Sequence, residues 1–356
     1  MTDADDTLFA SGGKRAGGVK GMIAGADESY YPHEFYPGVV QFGLEMSRGT
    51  SNEAPLLQIV LSARPKIAKA ILGFKEKSPE QIYFREVARR YRLPQWGLDI
   101  EEISYGRLRD SFNTFEDGMA ATKLRGFKNV ADKTGDVGVV FIGDDGQGDY
   151  VAGWNMLRLT HAMAEREKQG PRCVAVFIHT VKYINTGFPA GFDKLPPSDF
   201  ARERMYLFRT YPDAAKQAYA ANLISLNGFG NILAGSVKSH VFQVCCMAAC
   251  PESPVKSYRC VDCSQMTNKS EIPKLGFMDP SPTVCCHGKV KSKLYNVAGP
   301  EGSTRCDDLL EDWTSARDTY IENGGRFRSK AFNLIEKDGG DACCSKRFFK
   351  KLPQHY

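Results

Sequence analysis

Long hydrophobic runs are missing from this sequence. No stretch approaches the roughly 18 uninterrupted apolar residues that a membrane-spanning helix needs, so a spanning segment is not expected. The opening residues, Met1-Thr2-Asp3-Ala4-Asp5-Asp6, are acidic and do not read as a signal peptide. Nor is there a strong excess of one charge. The net charge of +5 permits attraction to anionic substrates or membrane surfaces, but it gives no ground for a nucleic-acid partner, and none is expected. Cysteine is almost absent from the first two-thirds, since ten of the eleven fall between Cys245 and Cys344. Without an export signal the expected compartment is the reducing cytoplasm, where these cysteines are thiols or metal ligands rather than disulfides.

What is present suits a soluble globular protein: 42% hydrophobic and 25% charged residues in 356, enough for one substantial core and a smaller module. Apolar runs alternate with helical patterns, which predicts an α/β fold with a mainly parallel sheet. Residues 56–61, 137–142 and 174–178 have the β-branched character of strands covered on both faces. Helices are expected at 38–46, 66–74, 118–131 and 151–167, the first two opening just after Pro37 and Pro65. A strand-like run at 205–211 and a helix at 214–224 close this part. Two stretches, 11–36 and 185–199, read as long loops, the first rich in Gly and Tyr and the second in Gly and Pro. Composition shifts near residue 240, beyond which one amphipathic helix is expected at 307–321, with capping spacing from Thr304 to Asp307 and a stop at Gly324.

Four elements carry chemistry. Asp3 and Asp5, two residues apart before Thr7, suit a strand tip where a metal and a phosphate meet, because ligands of open α/β sheets sit beyond the carboxyl ends of strands. A solvated acidic terminus is the plain alternative. Ser62, in Ser62-Ala63-Arg64-Pro65, puts a hydroxyl at a second strand end. Lys123 lies in a helix, with Lys128 five residues on as the competing cation. Finally, an apolar run ends in Gly143-Asp144-Asp145-Gly146-Gln147-Gly148-Asp149, again carboxylates and glycines at a strand end. His179 reads as a packed or capping histidine.

In this order the elements resemble the four motifs of the haloacid dehalogenase superfamily, and within it the catalytic domain of actin-patch-type phosphatidate phosphatases. Asp3 to Thr7, Tyr36-Pro37-Gly38-Val39, Ser62 to Pro65 and Gly143 to Gln147 carry the resemblance, with further landmarks at residues 93–97, 174–181 and 208–211. It covers roughly residues 1 to 230. It implies a Rossmann-like, mainly parallel sheet flanked by helices without a large cap, as a phosphatase domain at 1–235. Residues 236–356 are then a cysteine-rich extension of unknown role. It also implies a phosphomonoesterase with Asp3 as nucleophile and Asp5 as general acid and base. Ser62, Thr7 and Arg64 would contact the phosphate, and Lys123 would offset charge. Asp3, the carbonyl of Asp5, Asp144 and Asp149 would hold Mg²⁺, with Asp149 or Asp145 orienting bound water. Such enzymes carry an apolar strand before the nucleophile. Only Met1-Thr2 precedes Asp3, so the expectation is that the sequence starts late.

The substrate expected from the resemblance is a phosphorylated small molecule or lipid, with peripheral contact to a membrane. In the tail, Cys260 and Cys263 followed by Cys285-Cys286-His287 have an imperfect zinc-ribbon spacing, against unligated thiols as the alternative. Cys343-Cys344 beside Lys346-Arg347-Phe348-Phe349-Lys350-Lys351 would suit acylation and an anionic membrane, against a frayed basic tail. The rival function is a catalytically impaired phosphate-binding or adaptor protein whose tail binds metal or a partner.

Overall fold

The computed structural model describes residues 1–11, 27, 34–51, 54–65, 74–106, 115–134, 137–145, 148–164, 172–181, 202–239 and 305–326. Strands β1 (Leu61–Pro65) and β2 (Ser104–Gly106) pair in parallel, and so do β3 (Gly138–Asp144), β4 (Arg172–His179) and β5 (Met205–Phe208). Residues 1–3 join the two sets. Thr2 bridges Val60 on one side and Ile142 on the other, both in parallel. Its N–H donates to Ile59 O at 2.9 Å and its carbonyl accepts from Leu61 N at 2.8 Å, while Asp3 N donates to Ile142 O at 2.8 Å. The spatial order is therefore β2, β1, residues 1–3, β3, β4, β5. This α/β arrangement is consistent with a Rossmann-like fold, and the order reverses beside Asp3, where such sheets leave a crevice at their carboxyl ends.

Helices cover both faces. Successive residues of a strand point to opposite sides, so Phe141, Val176 and Ile178 pack with α3 (Phe115–Thr134) and α4 (Asp149–Ala164). Their neighbours Ile142 and Phe177 pack, with Phe208, on the other side against α1 (Val39–Arg48), α2 (Pro79–Arg90), α5 (Tyr211–Ala220), α6 (Leu226–Val237) and α7 (Arg305–Glu322). Burial on two sides explains why β3 and β4 read as unbroken apolar runs. The helix starts have local causes: Ser78, Thr210 and Ser225 accept from the backbone N–H groups of Gln81, Asp213 and Gly228. From the segment read as an extension, α7 buries Leu309, Trp313, Ala316 and Tyr320 in this same core. It stops where Gly324, at φ 82°, takes the left-handed conformation, with Gly325 N donating to Tyr320 O at 2.9 Å.

The chain departs from the expected elements in several places. The run at 56–61 is a buried strand only in its second half: Leu56 and Leu57 are 56% and 43% exposed, whereas Gln58 and Val60 are buried and bridge Leu98 and Thr2 ahead of β1. The helix expected at 214–224 starts and ends earlier, at Tyr211 and Ala220. Helices α2 and α6 were not expected. The helix expected at 66–74 and the loop at 11–36 fall mostly, and that at 185–199 wholly, outside the described residues. The same holds for Cys260, Cys263, Cys285, Cys286, His287, Cys343 and Cys344. Among the described residues, no helix is long and apolar enough to cross a membrane.

Candidate functional site

Asp3 ends the short central strand, Asp144 ends β3 next to it, and Asp149 opens α4 after the turn at Gly148, whose φ is 74°. One carboxylate oxygen from each lies within 4.8 Å of the others, and all three residues are buried. Asp149 Oδ2 accepts from Asp144 N at 3.1 Å, which folds the turn back on the strand end. Gly143 makes this closeness feasible: a Cβ there would sit 2.6 Å from the Asp149 carboxylate. Into the group comes Lys123 from α3, 1% exposed, with Nζ 3.0 Å from Asp3 Oδ1 and paired to Asp149 Oδ1. Lys128 is exposed. Five residues along an α-helix turn it about 140° further round, so the two lysines face different ways and Lys123 is the one at the cluster.

Three carboxylates against one ammonium leave two negative charges in excess when all are ionised. Burial pushes the Asp3 carboxyl up to about 8, with Lys123 pulling the other way and Asp149 and Asp5 adding to the rise. Asp144 is raised well above the usual carboxylate range by burial and by Asp149 and Asp3, and Asp149 is raised by burial against the pull of Lys123. Burial alone would lower Lys123, but Asp149, Asp3 and Asp144 outweigh it and hold the ammonium charged. Asp3 Oδ2 is buried with no hydrogen-bond partner among the described residues. A divalent cation fits this set: it would cancel the excess charge and occupy the orphaned oxygen, and a donor set made only of carboxylate oxygens suits Mg²⁺ rather than zinc.

A tight turn follows Asp3. Asp6 takes a left-handed φ of 57°, its N–H donates to Phe9 O at 2.8 Å, and its carboxylate accepts from Ser11 N at 2.8 Å and Asp27 N at 3.2 Å. Tyr211 Oη donates to Thr7 O at 2.6 Å. His179 is buried at the end of β4, with Nδ1 2.8 Å from Asp6 O and Nε2 3.0 Å from Arg209 O. Both ring nitrogens are thus engaged with main-chain oxygens, which fits a residue that holds backbone.

Of the residues singled out in the sequence, Asp3, Lys123, Asp144 and Asp149 come together. Asp5 is half-buried on the turn, near enough to influence Asp3. Thr7 is buried, and its Oγ1 has no hydrogen-bond partner among the described residues. Ser62 is buried as the second residue of β1, one residue past Leu61, whose N–H donates to Thr2 O. The Arg64 side chain lies outside the described part. Asp145 faces away to β4, its Oδ1 accepting from Val181 N at 2.9 Å, so Asp149 is the acid that joins the cluster. Sequence reasoning gave no role to Asp6, Asp27 or Arg209; Asp6 stands in the motif itself and Arg209 in the landmark at 208–211, whereas Asp27 sits in an aperiodic stretch with no local signal. A scan with protein-family models, a search of curated proteins and a search of solved structures each found no match.

Proposed function

We propose that this chain is a Mg²⁺-dependent phosphomonoesterase of the haloacid dehalogenase type, passing the phosphoryl group through an aspartyl phosphate on Asp3. The observation that carries this reading is the meeting of Asp3, Asp144 and Asp149 with Lys123 where the strand order reverses. Uncatalysed hydrolysis of a phosphate monoester is extremely slow, and a covalent intermediate divides one hard step into two easier ones. An Asp3 oxygen attacks phosphorus, and the bond to the leaving oxygen breaks as Asp5 delivers its proton. Asp5 then takes a proton from the water that hydrolyses the aspartyl phosphate. Lys123 balances charge on Asp3 and on the transferring group, and Ser62 donates to a phosphate oxygen. Asp3, the Asp5 carbonyl and Asp144 would hold Mg²⁺, with Asp149 behind them. When bound, the ion supplies the positive charge that lets a carboxylate approach an anionic phosphate.

By the family resemblance, phosphatidate at a membrane surface is the first substrate to try, beside soluble phosphomonoesters and phosphopeptides. The test is turnover with Mg²⁺ and with chelator. Asp3→Asn is expected to lose at least about 1000-fold in kcat, and beryllium fluoride with Mg²⁺ to inhibit the native protein. Turnover that persists in Asp3→Asn would remove Asp3 from the mechanism.

A further inference from the structure

Beyond the ladder that pairs His179 with Phe208, strand pairing no longer fixes the chain. Arg209 is the first residue past that limit, and its carbonyl meets His179 Nε2, whose other nitrogen meets the Asp6 carbonyl in the turn after Asp3. On the opposite side the Arg209 guanidinium grips α7, donating to Asp308 Oδ1 at 2.9 Å and Asp312 Oδ1 at 2.6 Å. Thr210 Oγ1 donates to Asp312 Oδ2 at 2.9 Å while capping α5. A series of polar contacts therefore runs from a helix some 300 residues along the chain to the turn that bears Asp5 and Asp6, with His179 donating at both of its ends when the ring carries both protons.

We infer that Arg209 is a positioning residue: docked on α7, it fixes its own carbonyl and through His179 the turn that aims Asp3 and Asp5. The helix is thereby a working part of the site, although none of its side chains reaches the acidic cluster among the contacts described. Other routes hold the same turn, namely Tyr211 to Thr7 and the two N–H groups to Asp6. Loss of the clamp therefore loosens the turn without unfolding it. Asp5 is the group most exposed to this loosening, because its side chain is half-buried and the packing around it is thinner than around Asp3. A misplacement of about 1 Å at a reacting group costs on the order of 100-fold in rate.

The catalytic part of this inference rests on the phosphatase reading; the structural part does not, and amide hydrogen exchange over residues 4–11 reads it without any substrate. In the full chain, Arg209→Gln and, from the other side of the pair, Asp312→Asn are expected to exchange about tenfold faster in that segment. Tyr219→Phe, which removes a 3.4 Å contact to Asn323 at the far end of α7, is expected to leave it unchanged. In turnover, the two clamp variants should lose about 10- to 100-fold in kcat with KM within about twofold. Unchanged exchange at residues 4–11 in both clamp variants would overturn the inference, and so would an equal acceleration in Tyr219→Phe. If the native protein turns over no phosphomonoester, the phosphatase reading fails by itself, and exchange still decides whether the relay exists.

Discussion

Two clusters in this protein set one cation against three carboxylates, and they differ because one is dry. Lys123 faces Asp3, Asp144 and Asp149 with side chains that are buried throughout. Arg209, with its own side chain 44% exposed, faces the buried Asp308 and Asp312 and the 73% exposed Glu311, so this cluster opens to solvent on the side of the guanidinium and Glu311. At the surface, water and salt screen the surplus charge, so the arrangement serves as a clamp of modest strength. Inside, nothing screens it, and the acids must keep protons or recruit a further cation. The same count of charges thus makes a fastener in one place and, on the proposed reading, a metal seat in the other.

The largest contrast should come from removing each cation. Lys123→Met, leaving buried acids without their partner, is expected to lower stability by about 3–5 kcal/mol. Arg209→Met, which leaves two buried acids without their partner but removes a cation that is itself half-exposed, should lose about 1–2 kcal/mol; denaturant titration of both, without divalent ions, compares them directly. Equal losses would erase the distinction between dry and wet clusters. Next, Mg²⁺ should raise the melting temperature by several degrees, at about 2–4 °C per kcal/mol of linkage, and Asp144→Asn should abolish the rise whereas Asp312→Asn should keep it.

Acidity sharpens the contrast further. The folded-state value of Asp3 is raised from 3.8 to about 8, so the folded form holds a proton that the unfolded chain has released. That contribution is complete below the unfolded value and is lost as pH rises through about 8. Melting curves in chelator should therefore fall across this window, and Mg²⁺, which favours the ionised acids, should flatten the fall. A flat profile in chelator would contradict the raised value. The smallest effect belongs to Lys128→Ala, within about 0.5 kcal/mol and with no change in Mg²⁺ response, as for any exposed helix lysine.

Strands β3 and β4 were legible because two-sided burial writes itself as an apolar run. The same signal began too early before β1: Leu56 and Leu57 are exposed and pairing starts at Gln58, because the run measures hydrophobicity rather than pairing. For α6 the sequence argued against a helix: Gly228, Gly230 and Gly235 each carry a propensity cost. Packing overrides it, because a Cβ at Gly230 would lie 2.6 Å from the Tyr320 hydroxyl, so the small residue lets α7 approach. Before α2, Ser78-Pro79-Glu80-Gln81 has the spacing of a helix start, although no helix was expected there. Gln81, however, spends its amide on the backbone of Leu98, at 3.0 and 2.9 Å, rather than on the helix end. The acids of the cluster could be found by motif, whereas Asp27 could not, and the landmark at 208–211 gave Arg209 a place but no role, because its partners on α7 lie far away in sequence.

The strand bearing Asp3 bridges Val60 on one flank and Ile142 on the other, so its own neighbours arrive much later in synthesis. At about 5–20 residues per second, roughly ten seconds pass between translation of Thr2 and of its second partner. Throughout that interval the strand has at most one of its two neighbours, and Asp3 comes to lie beside Asp144 only when the middle of the chain has emerged. The acidic cluster is therefore assembled late, because its members are gathered from segments well over a hundred residues apart in the chain.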